Sequence, residues 1–121
     1  MGKKRTIGMW LYQNGGGDVI GKKIIKKLKE RDIYTIDDVN LRSATAKNGN
    51  IVHNGIKLNK LDLFFSYNAG EQTQYQVYLY QALNRVIPMI NTYDSFALTE
   101  DKFHTSFVLR QNGILTPDYR L

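Results

Sequence analysis

Few of the 121 residues combine type and spacing in a way that does chemistry. The chain has no cysteine, which removes a thiolate nucleophile, a disulfide framework and a Cys-based zinc site. Its two histidines, His53 and His104, give a metal site little to build on. No carboxylates stand at metal spacing, and no nucleophile is matched to a base. What remains is a set of groups that bind rather than react. Asn14 lies in the glycine-rich run 13–18, and Asn68 and Glu71 lie in the run 67–71. Asn91 and Ser95 follow an apolar stretch, and Lys102 follows Glu100-Asp101. Asn68 and Glu71 suit an amine or a carboxamide edge, although Asn is also a turn former and Glu a favoured acid of a first helical turn. Asn91 and Ser95 also suit the backbone groups of a turn. Lys102 stands where the helix dipole disfavours a cation, which weights it toward function; an ordinary ion pair with Glu100 or Asp101 is the competing reading.

These residues need elements to position them. Residues 6–12 (TIGMWLY) form a continuous apolar run of strand length, as expected of a strand covered on both faces. The permissive loop 13–18 ends in Asp18, placed to cap a helix that runs to about Arg31 with Ile20, Ile24, Ile25 and Leu28 as its apolar stripe. Residues 32–36 read as a second strand. Between 40 and 59 the signals become short and alternating around Asn48-Gly49 and Asn54-Gly55, dipeptides of tight hairpin turns. Residues 61–68 read as a third strand. Tyr75, Tyr78, Leu79, Ala82, Leu83 and Val86 then recur at helical spacing, with the tyrosines at the core edge. Residues 86–90 read as a fourth strand with Pro88 where a ladder N–H is not yet needed. A helix beginning at residues 100–102, a stop at Gly113 and a final strand announced by Thr116-Pro117 complete the chain. The alternation predicts a doubly wound, mainly parallel α/β sheet with helices on both faces and right-handed crossovers. Ligands of such sheets sit outside the carboxyl ends of the strands, which would gather residues 13–18, 67–71 and 91–94.

A glycine loop between a first strand and a first helix also suggests a dinucleotide cradle, but the spacing departs from the fingerprint. Gly15 and Gly17 are followed by Ile20 where the third glycine belongs, and Gly21 comes one place late. Asp18 sets a negative charge where a pyrophosphate would lie, and only the pair Asp37-Asp38 recovers part of the pattern. The formal charge is +6, with much of the excess in Lys3-Lys4-Arg5 and in Lys22, Lys23, Lys26, Lys27, Lys29 and Arg31. The second group reads as the solvated face of an amphipathic helix in preference to a phosphate-binding stripe, and no recognisable nucleic-acid module accompanies it. No stretch has the length of a membrane span, and the composition fits a soluble cytoplasmic domain. Met1-Gly2 with Thr6 matches a loose myristoylation pattern, yet Thr6 is better placed as the start of a buried strand.

The order strand, Asn91, Ser95, Asp101-Lys102, helix, Leu109, Gly113-Ile114, Thr116-Pro117 resembles the N-terminal part of the ATP-grasp ligases, most nearly the RimK-type glutamate ligases and the glutathione-synthetase-like enzymes. The specific motifs lie between Pro88 and Pro117. The resemblance implies a small Rossmann-like pre-ATP-grasp domain over residues 1–121, with 99–121 as a junction toward a C-terminal ATP-grasp domain of the same parent chain. It implies ligation of a carboxylate to an amine through an acyl phosphate, with ATP and magnesium as cofactors. Lys102 matches the family lysine that reaches nucleotide phosphate. Asn91 and Ser95 match positions at the strand exit, and the loops holding Asn14, Asn68 and Glu71 correspond by topology to the side that takes a small-molecule or peptide acceptor. The family's nucleotide-clamping strands, magnesium carboxylates and phosphate loop would fall after Leu121, so the chain alone is expected to be inactive. Two alternatives stand beside this expectation. One is a non-enzymatic Rossmann-like or flavodoxin-like module that binds a nucleotide or an acidic partner. The other is a homo-oligomer formed through the tyrosine-bearing helix.

Overall fold

The computed structural model describes residues 4–11, 17–67 and 73–117, which fall into two compact units, Met1–Asn91 and Thr92–Leu121. In the first unit the elements are β1 (Thr6–Leu11), α1 (Gly17–Glu30), β2 (Tyr34–Ile36), β3 (Thr45–Lys47), β4 (Asn50–His53), β5 (Ile56–Lys57), β6 (Leu63–Tyr67), α2 (Gln74–Asn84) and β7 (Met89–Ile90). Four of the strands form a parallel sheet in the order β2-β1-β6-β7. The protein is therefore α/β with a parallel main sheet, as its alternating strands and helices predict. The apolar run of β1 pairs with a neighbour on each side, Ile7 standing opposite both Thr35 and Leu63. Met9, Trp10, Phe64, Leu79, Leu83 and Met89 are buried. α1 lies close against β1 because Gly21 has no side chain: a Cβ there would stand 2.8 Å from Leu11 Cδ1.

Several boundaries differ from expectation for identifiable reasons. The second strand begins at Tyr34 instead of residue 32, because Asp32 takes a left-handed conformation (φ 58°) in the turn leaving α1. Ile20 is exposed, so the apolar stripe of α1 reduces to Ile24, Ile25 and Leu28 around Gly21. The excursion at 40–59 is a complete three-stranded antiparallel sheet, β3-β4-β5. Both of its turns have two residues, and Asn48 and Gly49, like Asn54 and Gly55, all take positive φ, the geometry for which Asn-Gly is favoured.

α2 presents a different face from the one its spacing suggested. Tyr75, Tyr78 and Val86 are exposed, while Gln76, Leu79, Tyr80 and Leu83 are buried, again at i, i+3, i+4 and i+7. Gln76 enters this face through a capping box. Its side-chain oxygen accepts from the Thr73 N–H at 2.7 Å, while Thr73 Oγ1 accepts from the Gln76 N–H at 3.2 Å. The fourth strand is shorter than residues 86–90. Val86 and Ile87 donate back to the Leu83 carbonyl and close the helix, and Pro88 enters the ladder only as an acceptor, from the Phe64 N–H.

The second unit contains α3 (Tyr93–Thr99) and α4 (Lys102–Gln111). α3 differs from expectation; its seven residues are too few to display a helical period, and its local signs are the Thr92 cap and Asp94 in the first turn. α4 begins at Lys102 as predicted, with the Asp101 carboxylate accepting from the His104 N–H at 2.9 Å. It ends at Gly113 (φ 78°), where Ile114 donates to Leu109 and Gly113 to Arg110, a Schellman closure. No strand follows within the described residues: 114–117 have no regular structure. The segment 99–121 lies wholly in this unit.

Candidate functional site

The carboxyl ends of the parallel strands are the expected place for a ligand, and the described residues put one polar corner there. β6 carries a single hydroxyl residue other than tyrosine, Ser66, near its carboxyl end, and β7 runs into Asn91 one residue after its own end. α2 brings Tyr80 to the same place. Its phenol, on a side chain that is almost wholly buried, donates to the Asn91 carbonyl and is within hydrogen-bonding reach of Ser66. Burial pushes the Tyr80 phenol above its ordinary value of 10.0, and the Ser66 hydrogen bond opposes that rise. The hydroxyl therefore stays protonated and remains a donor at neutral pH. It holds the Asn91 main chain, joined to Ile90 by a cis peptide, while the Asn91 residue stays exposed.

Of the six residues singled out from sequence, three are described. Asn91 belongs to this corner, in the first unit. Ser95 lies in the second unit, in the first turn of α3: Thr92 Oγ1 accepts from the Ser95 N–H at 3.2 Å and donates to Ser95 Oγ at 2.9 Å. The Ser95 hydroxyl is thus occupied locally, which is the turn-satisfying role that its type also allowed. Lys102 opens α4, is exposed, and forms no ion pair with a described carboxylate. Its two acidic neighbours do not claim it, and the Asp101 carboxylate is committed to the helix cap. Asn14, Asn68 and Glu71 lie outside the described residues. Ser66 and Tyr80 were not foreseen. The usable signal was a lone serine in an otherwise apolar and aromatic strand, five residues from its start to its carboxyl end (LFFSY).

Asp62 and His53, two further polar groups among the described residues, serve the fold. At the opposite, amino edge of the sheet a cavity of about 380 Å³ is lined by Arg5, Ile7, Ile33, Asp62 and Leu63. One oxygen of Asp62 accepts from the Thr6 N–H at 2.8 Å, so this carboxylate helps to hold the start of β1. His53 is buried and shares a 3.0 Å hydrogen bond between its Nε2 and Ser43 Oγ, a satisfied core histidine. Among the described residues no group of three or more His, Cys, Asp or Glu is placed to hold a metal ion, and no helix is long and apolar enough to cross a membrane. Gln76 Nε2 is buried without a hydrogen-bond partner at the start of α2. The chain matches no family model, no curated protein and no solved structure.

Proposed function

We propose that this chain is the N-terminal domain of an ATP-dependent carboxylate–amine ligase, supplying part of the acceptor site and one wall of the nucleotide cleft. The observation that carries this reading is the reversal of strand order about β1. From β1 the chain steps to β2 on one side, then returns to the other side for β6 and β7. If both crossovers are right-handed, opposite steps put α1 and α2 on opposite faces, which is a doubly wound arrangement. Its switch point lies between β1 and β6, where open α/β sheets bind ligands. The residues next in sequence after those two strands include Asn14, Asn68 and Glu71, the proposed acceptor contacts.

Two further features support the reading. The Ser66–Tyr80–Asn91 corner holds the main chain at the exit of β7, so the exposed Asn91 side chain is offered from a fixed position to an acceptor amine or carboxamide. In the second unit neither α3 nor α4 buries a residue, while Leu98, Phe103, Phe107, Ile114 and Leu115 are exposed. Helices with so much uncovered apolar surface are what a junction to a further domain requires. ATP would supply the phosphoryl group that activates the carboxylate. Lys102, a cation without a described carboxylate partner, would bind phosphoryl oxygens as negative charge develops on them. The start of α4 itself is a poor phosphate cradle, because the Asp101 carboxylate already occupies the capping position. Magnesium has no ligand set among the described residues, so those residues are given no part in holding it.

The test is phosphate release by the complete parent gene product, supplied with ATP, magnesium, and panels of carboxylates and amines. Amine-dependent release is expected, with Lys102→Ala raising the KM for ATP about tenfold, the scale of one charged hydrogen bond, and leaving the far-ultraviolet circular dichroism unchanged. A parent product that neither binds ATP nor contains a nucleotide-clamping domain would overturn the proposal.

A further inference from the structure

We infer that the outer face of α1 docks on the phosphate backbone of duplex nucleic acid without reading its sequence. This surface is separate from the polar corner at β6 and β7, and the inference stands or falls independently of the ligase reading. Lys22, Lys26 and Lys29 recur at i, i+4 and i+7 and form one row along the helix; Lys23, Lys27 and Arg31 form the next row around it. All six are exposed. Only Lys27 pairs with a carboxylate among the described residues, through a 3.9 Å contact with the exposed Glu30.

A merely solvated helix face usually interleaves acids and bases, because opposite charges at i, i+4 stabilise it and like charges destabilise it. Here Lys22–Lys26, Lys23–Lys27 and Lys26–Lys29 all oppose the helix. The dipole accounts for cations in the last turn, where Lys27 and Lys29 stand. It does not account for Lys22 and Lys23, which lie in the first half. The same sign continues onto the neighbouring sheet edge. Arg5 supplies it: its carbonyl accepts from the Tyr34 N–H, which sets it beside the carboxyl end of α1, while Lys4 is neutralised there by Asp32 at 3.1 Å. By sequence the unit Met1–Asn91 holds 14 Lys and Arg against 7 Asp and Glu, whereas Thr92–Leu121 holds 3 against 4. The positive field therefore belongs to one unit and is densest on one helix.

The residue types select among polyanions. Five of the six cations are lysines, point charges that meet phosphate oxygens without the planar fork of arginine, which suits contact with a backbone over directional readout. The two rows contain no aromatic side chain on which single-stranded bases could stack. Gly21 of α1 is turned to the sheet at Leu11, and the exposed apolar side chains of the helix are confined to Val19 and Ile20 at its amino end, short of the continuous apolar face that a helix lying in a lipid surface needs. An exposed helix of about 10 to 12 Å diameter fits a major groove about 12 Å wide, where two rows of cations meet the phosphates on either side.

The test is fluorescence anisotropy of the full chain with labelled duplexes of two unrelated sequences, each about 20 base pairs, between about 50 and 200 mM salt. Equal affinity for both duplexes is expected, falling linearly on a log–log plot of affinity against salt. Replacing Lys22, Lys26 and Lys29 with Gln should weaken binding at least about tenfold at the lower salt. It should also reduce the salt slope by about 2 to 3, at roughly 0.9 for each phosphate no longer neutralised. The thermal midpoint should hold or rise, because like-charge pairs are removed, so weaker binding would not reflect unfolding. Replacing the exposed Lys47 and Lys57 of the meander with Gln should change affinity less than about threefold, as expected of charges outside the docking face. No duplex binding at the lower salt, an equal loss in the meander variant, a strong preference for one duplex, or tighter binding of polyglutamate or phosphatidylserine vesicles would each overturn the inference.

Discussion

The two units of this protein solve the problem of burial in opposite ways. In Met1–Asn91 a parallel sheet and a small antiparallel sheet enclose side chains completely; Phe64, Met9, Leu41, Leu58 and Leu83 are withdrawn from solvent. In Thr92–Leu121 two helices of seven and ten residues bury none of their own. Isolated helices of fewer than about 12 residues are marginal in water, so the caps of the second unit and the Phe103–Phe107 pair, whose rings stack at 6.2 Å, carry weight in holding it. The first unit thus has an enclosed core, whereas the helices of the second leave Phe103 and Phe107 exposed.

The largest expected effect challenges this contrast most directly. Phe64 is fully buried in β6, so Phe64→Ala should cost about 3 to 5 kcal/mol through forfeited transfer energy and the cavity left behind. Phe107 is 53% exposed, and Phe107→Ala should cost under about 1 kcal/mol, the scale of a surface change. Urea denaturation of both variants is the measurement. Equal losses would mean that the second unit has a core of its own.

A smaller effect tests what holds the second unit. Asp101→Ala removes the cap from α4 and should cost about 1 kcal/mol locally. Hydrogen exchange should then quicken in residues 102–111 while protection in β1 and β6 is unchanged. Faster exchange throughout both units would show that they unfold together and would erase the distinction.

How far these features could be read in advance follows the same division. Where local chemistry decides structure, the sequence was legible. The Asn-Gly pairs marked both turns of the meander, Gly113 marked the end of α4, and the continuous apolar run of β1 marked a strand. Where long-range packing decides, it was not. Tyr75, Tyr78 and Val86 have helical spacing with Leu79 and Leu83, but Gln76 and Tyr80 are the residues turned inward. Gln76 is there because its capping box folds the amide back, and Tyr80 because Asn91 and Ser66 satisfy its hydroxyl. No window of local sequence contains Ser66, Tyr80 and Asn91 together, so the corner they form emerges only from the pairing of β6 with β7 and the return of α2. Asn91 and Ser95 were visible as residues suited to a turn and Lys102 as a cation at a helix start; that Thr92 is the local partner of Ser95 was not.

Tyr80 offers a test confined to the first unit. Tyr80→Phe removes the donor to the Asn91 carbonyl and should cost about 1 kcal/mol near neutral pH. Because burial raises the phenol's folded pKa above 10.0, the native state retains a proton that the unfolded chain releases above that pH. This contribution is fully present below pH 10 and is lost as pH rises through the folded value. The urea midpoint of the native sequence should therefore fall more steeply above pH 10 than that of Tyr80→Phe. Parallel slopes would remove Tyr80 as the sensitive group.

The smallest expected change in stability carries the most information about function. Lys102 occupies the first position of α4, where the helix dipole favours an acid over a cation. Lys102→Glu should therefore stabilise the second unit by about 0.3 to 1 kcal/mol at low ionic strength, an effect screened by salt. Under the proposed function the same change should weaken ATP use by the parent enzyme, since a phosphate-binding cation becomes an anion. A residue whose replacement improves the fold and harms the activity is retained for the activity. If Lys102→Glu destabilises α4, the lysine serves the helix, and the second unit loses its one proposed contact with nucleotide. Thermal melts at low and high salt, paired with the KM for ATP, separate these outcomes.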